Sequence, residues 1–318
     1  MTNSSVRNAQ TWPYIRHRDF EAQLRKSSSL WFAERGLAVN PKMPYILADW
    51  KDWRNNIILP EVSDYIVAEQ KRHSEQGQGF PLHKYLHHGL SSQAMIFNLI
   101  GPLVIQDHFA ILKKAFQSAK IPWPKGPISV EFEVEDRLIF REDTGQPTSI
   151  DFAIRGQQES RPLFIEAKLV EREFGNCSVF RNGDCDGRNP SENYDLCYLH
   201  HLGRKYWILM DKFGFLKGLA GNCPICPLAI YYQFFRELIF AVESGGEFVL
   251  LYDERNPTFF SGISPKERGL IPFLVSFVPD SLKPFFHSIS IQQIVAKIHE
   301  SKENQWLLEF EQKYALLT

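Results

Sequence analysis

Asp151, Glu166 and Lys168 lie within eighteen residues of one another, and their types suit the hydrolysis of a phosphodiester. A pair of carboxylates can hold Mg2+ or Mn2+, because hard divalent ions take oxygen ligands and usually keep several waters. Such an ion lowers the pKa of a bound water and offsets charge that develops on the phosphate. A lysine beside them can orient or deprotonate that water, or stabilise the pentacovalent oxyanion.

The elements that must position these residues read as strands. Val130, Phe132 and Val134 alternate with Glu131, Glu133 and Glu135, so a period of two places apolar and acidic side chains on opposite faces. A turn at Glu142 to Pro147 leads into a second strand, Thr148 to Ile154. Gly156 to Arg161 turns into a third, Pro162 to Val170. In the second strand Asp151 is predicted to point away from the apolar face that Ile150 and Phe152 share with Ile154. Glu166 and Lys168, two apart, project together, and a meander of the three strands brings all three charges to one side of the sheet. Taken singly, each also fits an ordinary strand-edge charge or exposed ion pair. The run Leu163 to Val170, however, embeds the charges in an otherwise apolar strand, and a buried charge needs a partner or a metal.

The first 90 residues read as helical and mixed, with Trp12, Trp31, Trp50 and Trp53 among charged residues. Ser91-Ser92-Gln93 suits a helix start that continues through Ala94, Phe97, Leu99 and Ile100. Gly101-Pro102 predicts an interruption or kink, with a second helix from Pro102 to about Lys120. Residues 171–222 are irregular and read as a long insertion, with a helix inside Tyr194 to Phe213. Ile225, Leu228, Tyr232, Phe235, Ile239 and Val242 form one apolar helical stripe, closed by Gly245-Gly246. Glu247 to Asp253 reads as a short buried strand, and helices at Ile291 to Glu300 and Asn304 to Leu316 end the chain. The expected fold is α/β, with a mixed central sheet flanked by helices. Residues 1–90 would form a mostly helical region, and residues 91–318 the domain that carries the site and the insertion.

The 318 residues are 44% hydrophobic and 14% aromatic, which suits a well-buried globule and excludes a disordered chain. No stretch approaches the roughly 18–20 apolar residues of a membrane helix, and Met1 to Lys26 lacks the apolar middle of a secretory signal, so a soluble cytoplasmic protein is expected. A net charge of −1 decides nothing about nucleic acid, since phosphate binding depends on where the cations cluster. Lys113, Lys114, Lys120 and Lys125, and Arg204 with Lys205, are basic groupings that first read as solvated surface.

All five cysteines, Cys177, Cys185, Cys197, Cys223 and Cys226, fall within 50 residues. Cys223-Pro224-Ile225-Cys226 has a metal-knuckle spacing. Four of the five could hold structural Zn2+, alone or with His200 or His201, and brace the insertion; reduced cytoplasmic thiols are the equal alternative. His83, His87 and His88 are expected to be ordinary surface or core histidines, because Pro81 and Gly89 disfavour a helix there.

Ile150-Asp151, fourteen residues, then Glu166-Ala167-Lys168 resembles the PD-(D/E)XK nuclease motif, with Ile150 in place of the proline that names it. The order of elements is similar too: helices, three strands bearing the Asp and Glu-x-Lys, an amphipathic helix and a fourth strand. In detail the chain resembles a bacterial group of restriction endonuclease-like proteins of that superfamily over residues 85–315. The likeness runs through Ser91-Ser92-Gln93-Ala94, Asn98 to Leu103, Cys185-Asp186-Gly187 and Tyr252 to Pro257. The resemblance implies a restriction-endonuclease-like core, and Mg2+ or Mn2+ held by Asp151 and Glu166 with the Ala167 carbonyl as a further ligand. It implies an endonuclease or exonuclease of restriction, defence or repair type acting on DNA, and it leaves a homodimer open. Further polar groups are expected from the helices around the sheet. Gln93, Asp107 and Glu133 compete for one place, and Gln233, Tyr232 and Arg236 for another. Some nucleases of this superfamily carry an iron–sulfur cluster, a second option for the cysteines. Two other readings remain: a catalytically inactive nucleic-acid-binding protein with this fold, and a glycosidase using Asp151 and Glu166 as acid and base. The intact Asp, Glu and Lys argue against the former, and Lys168 beside Glu166 against the latter.

Overall fold

The computed structural model describes residues 14–157, 159–259, 269–301 and 304–317, so Trp12 lies outside the described residues. Four helices precede the main sheet: α1 (Tyr14–Glu34), α2 (Pro60–Glu75), α3 (Ser92–Ile105) and α4 (Phe109–Ser118). Between the first two runs a small antiparallel ribbon, β1 (Val39–Asn40) and β2 (Met43–Leu47).

Ser91 caps α3, its hydroxyl accepting from the Ala94 amide. The interruption predicted at Gly101-Pro102 does not occur there; α3 runs through both residues and stops at Ile105. An interior proline costs about 3 kcal/mol. Every residue from Gln93 to Leu103 is buried, however, and burial of one large apolar side chain contributes about 1.5–3 kcal/mol, so the apolar face outweighs the lost hydrogen bond. Gly101 has its own role. A Cβ there would stand 2.5 Å from a methyl of buried Val62 in α2, so glycine lets the two helices touch. Gly101→Ala is therefore expected to cost about 1–3 kcal/mol in urea unfolding, although alanine is the better helix former. An unchanged midpoint would show that α2 shifts freely.

The central sheet contains β3 (Ser129–Glu135), β4 (Ser149–Arg155), β5 (Leu163–Lys168), β6 (Glu247–Tyr252) and β7 (Phe286–Ser290), hydrogen-bonded in that order. The first three form the expected antiparallel meander, and β6 and β7 add in parallel. This mixed five-stranded sheet is flanked by helices on both faces. One face packs on α1 to α4 and on the helices Ile291–His299 and Trp306–Lys313. The other packs on Tyr206–Lys212, Tyr232–Glu243 and Leu270–Val275. The sequence reading missed β7, a short edge strand in which only Ile289 and Ser290 are buried.

The simple alternation fails at one rung. Phe132 faces the first cluster but Val134 the second, and Phe152 and Ile154 face the first but Ile150 the second. The cause is local: Glu133 adopts a left-handed φ of 54°, and the ladder between β3 and β4 skips from Phe132↔Phe152 to Val134↔Ile150. The pleat reverses there on both strands, so Asp151 does not stand opposite an apolar face shared by Ile150, Phe152 and Ile154.

The insertion is built from short pieces. The helix expected within Tyr194 to Phe213 is realised as Tyr194–Leu196, Tyr198–His201 and Tyr206–Lys212. The apolar stripe predicted from Ile225 also divides: Pro227–Ile230 is a separate turn, Tyr231 leaves helical geometry at φ −119° and ψ 39°, and the long helix starts at Tyr232. Among the described residues no helix is long and apolar enough to cross a membrane.

Candidate active site

The β4–β5 ladder extends only as far as Phe152↔Ile165. The next rung would pair Asp151 with Glu166. There Oδ2 of Asp151 instead accepts the Ala167 amide at 2.7 Å, so a side chain replaces the strand partner and the sheet forks. Glu166 and Lys168 lie in this fork, each only 4% exposed. Nζ of Lys168 donates to Oε1 of Glu166 at 2.6 Å and to Oε1 of Gln233 at 2.9 Å. Nε2 of Gln233 donates to the same Glu166 oxygen at 2.6 Å, closing a triangle between β5 and the helix Tyr232–Glu243.

A second set of bonds holds Glu133. Gln93 at the start of α3 donates to Glu133 Oε1 at 2.6 Å and to the Pro81 carbonyl at 3.0 Å, while its own oxygen accepts the His83 amide at 2.8 Å. Ser149 donates to the other Glu133 oxygen at 3.3 Å. One turn beyond Gln233, Glu237 is 2% exposed, and its Oε2 has no hydrogen-bond partner.

Three buried carboxylates, Glu133, Glu166 and Glu237, and the half-buried Asp151 thus share the neighbourhood of one ammonium. Desolvation and the nearby Glu166 push Glu133 up to about 8, against the hydrogen bond from Gln93. Desolvation, then Glu166 and Glu133, hold Asp151 well above the usual carboxylate range. Glu237 is raised by desolvation and by Glu166 and Asp151, against Lys168. Desolvation alone would lower Lys168, but attraction to Glu166, Glu237, Glu171 and Asp151 outweighs it and leaves its pKa above the ordinary value. The centre is short of positive charge. Its donors are all hard oxygens, the set that suits Mg2+ or Mn2+, and the unpartnered Glu237 oxygen is an orphan that an ion would satisfy. Among the described residues no three His, Cys, Asp or Glu side chains already stand as a closed ligand set. Glu166 Oε1 is taken by Lys168 and Gln233, and Asp151 Oδ2 by Ala167, which leaves the second oxygen of each carboxylate for ligation.

Asp151, Glu166, Lys168, Glu133, Gln93 and Gln233 therefore belong to one connected region, with Gln93 reaching it through Glu133. The groups set in competition by the sequence occupy different places in it. Asp107 lies outside, exposed in the turn after α3. Arg236 is spent internally: it donates to Glu142 at 2.8 Å and Thr148 at 2.9 Å, and Tyr206 donates to the same Glu142 oxygen at 2.5 Å. Tyr232 packs on Tyr206 and under the Arg236 guanidinium. Arg204 is likewise occupied, bonding the carbonyls of Arg141 and Thr144.

Sequence reasoning missed Glu237 because the apolar stripe through Tyr232, Phe235, Ile239 and Val242 was the only face of this helix that it followed. The available signal was its place four residues after Gln233, on the same side of the helix. The 81–83 segment is clamped to Gln93, with the His83 side chain exposed; desolvation, Lys84 and Lys168 lower its pKa, against Glu171. A groove of about 670 Å3 lined by Glu171, Arg172, Glu173, Gly175 and Gln233 opens beside the triangle.

The family described as restriction endonuclease associating with ARP matches residues 25–315. No curated protein and no solved structure matches the chain.

Proposed function

Because the chain belongs to this restriction endonuclease family, whose members are nucleases acting on nucleic acid, we propose that it hydrolyses DNA phosphodiesters with Mg2+ or Mn2+ at the fork of the sheet. The observation that carries this reading is the set of three buried carboxylates, with the half-buried Asp151, around a single lysine, one of the buried ones with an unpartnered oxygen. Asp151 and Glu166 would hold the ion, joined by the Ala167 carbonyl and by Glu237 or Glu133. The ion supplies activation of a water and charge compensation on the phosphate.

Every other part is played by the chain. Lys168 is the catalytic cation: its ammonium, kept protonated by the surrounding carboxylates, orients the attacking water and donates to the oxyanion. Gln233 is a positioning residue that fixes both Lys168 and Glu166 through its amide. Gln93 fixes Glu133 in the same way and carries the 81–83 segment with it. The association with ARP in the family's description comes to this chain as part of the same reading.

The test is incubation of the purified full chain with supercoiled plasmid, single-stranded DNA and RNA in Mg2+, Mn2+ or EDTA. Cleavage of DNA in either metal and none in EDTA is expected. No cleavage in both metals, or cleavage that survives chelation, would overturn the proposal. Preference for RNA would overturn the substrate but not the centre.

A further inference from the structure

No Asp or Glu occurs from Gln76 to Gln106, although the chain has 37 of them. The first half of that stretch joins α2 to α3 as an irregular loop, pinned at close intervals. The Gly79 amide donates to Oε1 of Glu135 at 3.0 Å, and Gln93 holds the Pro81 carbonyl and the His83 amide. Nδ2 of the fully buried Asn56 donates to the carbonyls of Leu86 and His88 at 2.7 and 2.8 Å, and the Gly89 amide donates to the Tyr45 carbonyl at 2.8 Å. Between these anchors three consecutive side chains, His83, Lys84 and Tyr85, stand exposed, Tyr85 by 45%. A loop fixed on both sides of an exposed tip is suited to present that tip to a ligand.

The tip is an aromatic surface with one cation. The His83 and Tyr85 rings meet edge to face with centres 5.1 Å apart, and the half-buried His88 ring lies tilted against Tyr85 at 4.8 Å. Nζ of Lys84 stands 4.8 Å from the centre of the Tyr85 ring. Desolvation, then His87 and His83, bring His88 down to about 4, so at neutral pH it is an uncharged ring and Lys84 supplies the charge. Hydrogen bonds tie this surface to the fork of the sheet. Gln93, which accepts the His83 amide at 2.8 Å, donates to Oε1 of Glu133 at 2.6 Å. Glu133 lies between the rungs Phe132↔Phe152 and Val134↔Ile150, at the position opposite Asp151. One glutamine side chain thus joins the loop backbone to the carboxylate cluster.

We propose that His83, Tyr85 and His88 form a stacking platform for an unpaired base of the strand being cut, with Lys84 contacting its phosphate. The identity of that strand rests on the nuclease reading above. Every base has a face that can stack on an aromatic ring, so such a platform holds a strand without reading its sequence. Bases inside an intact duplex keep those faces against one another. The favoured substrate is therefore a single strand or a frayed end, and Lys84 adds a salt-sensitive contact that no carboxylate in its own segment opposes.

The test reads binding of the full chain to a labelled single-stranded oligodeoxynucleotide, in Ca2+ and in EDTA, so that binding is scored apart from cleavage. Tyr85→Ala is expected to weaken it about 10-fold, and Tyr85→Phe, which keeps the ring, to recover most of the loss. Lys84→Ala should lower the slope of log affinity against log salt by roughly 0.7. Irradiation of a strand containing iodouracil should cross-link it to His83, Tyr85 or His88. Tyr198→Ala, which removes an exposed ring from the insertion, should bind as the parent does. Affinity no greater for the strand than for a blunt duplex of the same sequence, unchanged binding by Tyr85→Ala, or a cross-link confined to other residues would each overturn the platform and leave the metal centre standing. The expected binding without cleavage in Mg2+ or Mn2+ would support the platform and overturn the centre, and a parent that binds no nucleic acid would overturn both.

Discussion

Asp151→Asn is expected to lower the metal-dependent cleavage rate by roughly 10^3-fold, because the several kcal/mol that a bound ion contributes to charge stabilisation goes with its ligand. The substitution is isosteric, and the amide oxygen can still accept the Ala167 amide that the carboxylate now accepts at 2.7 Å, so the fork persists. Lys168→Ala should cause a comparable loss through a different route. It removes the ammonium that bonds Glu166 and Gln233, and it leaves Glu166 buried without its counter-charge. Its thermal midpoint should therefore fall, whereas that of Asp151→Asn should not. Single-turnover cleavage in Mg2+ with circular dichroism on both variants checks this. A rate for Asp151→Asn within about tenfold of the parent would remove Asp151 from the centre.

The second large effect is on stability: Mg2+ should stabilise the folded protein far more at about pH 8 than at about pH 5. Glu133 carries the argument, with an ordinary value of 4.5 and a folded value raised to about 8. Across that window the metal-free folded state holds a proton that the unfolded state has lost. The contribution of Glu133 is complete below about 4.5 and declines as pH rises through about 8, by about 1.4 kcal/mol per pH unit. Asp151 and Glu237 are displaced in the same direction and add to the decline. An ion ligated by the ionised carboxylates removes that loss, so over about three pH units the gain from Mg2+ should grow by roughly 4 kcal/mol for each proton released. Other displaced groups, such as buried Lys313, whose pKa burial lowers, titrate alike with and without the ion and cancel in the difference. Urea unfolding at several pH values, with saturating Mg2+ or EDTA, measures it. A Mg2+ effect independent of pH would show that the raised carboxylates are not its ligands. Glu237→Gln should flatten the dependence in part.

Much of this architecture was legible because it follows from short-range rules. Period-two runs gave three strands in their correct order, and the apolar run at Phe248 to Tyr252 gave the fourth. What escaped was set by contacts between distant residues. The left-handed Glu133 is stabilised by Gln93, forty positions away, and no local pattern announces that the pleat reverses there. The helix break at Gly101-Pro102 was a sound local inference that the burial of α3 overrode. In the site, charged residues embedded in an apolar strand were visible from β5 alone, whereas Glu237 was hidden because an inward carboxylate on a helix looks like its apolar neighbours. Gln93 and Gln233 were readable as candidates but not as separate supports, since that distinction needs the third dimension.

The parting of β4 from β5 has a consequence for which ions the proposed metal centre would accept. Where two strands are laced by backbone bonds, the distance between their side chains is fixed by the ladder, and a cation of the wrong radius would have to strain it. Past Phe152 and Ile165 no lacing remains between these strands, and Asp151 holds Ala167 only by a rotatable side chain. The jaws of the site can therefore widen by the few tenths of an ångström that separate the coordination shell of Mg2+ from those of larger divalent ions. Discrimination among ions at the proposed centre would then rest on ligand number and retained water, not on a rigid gauge in the sheet.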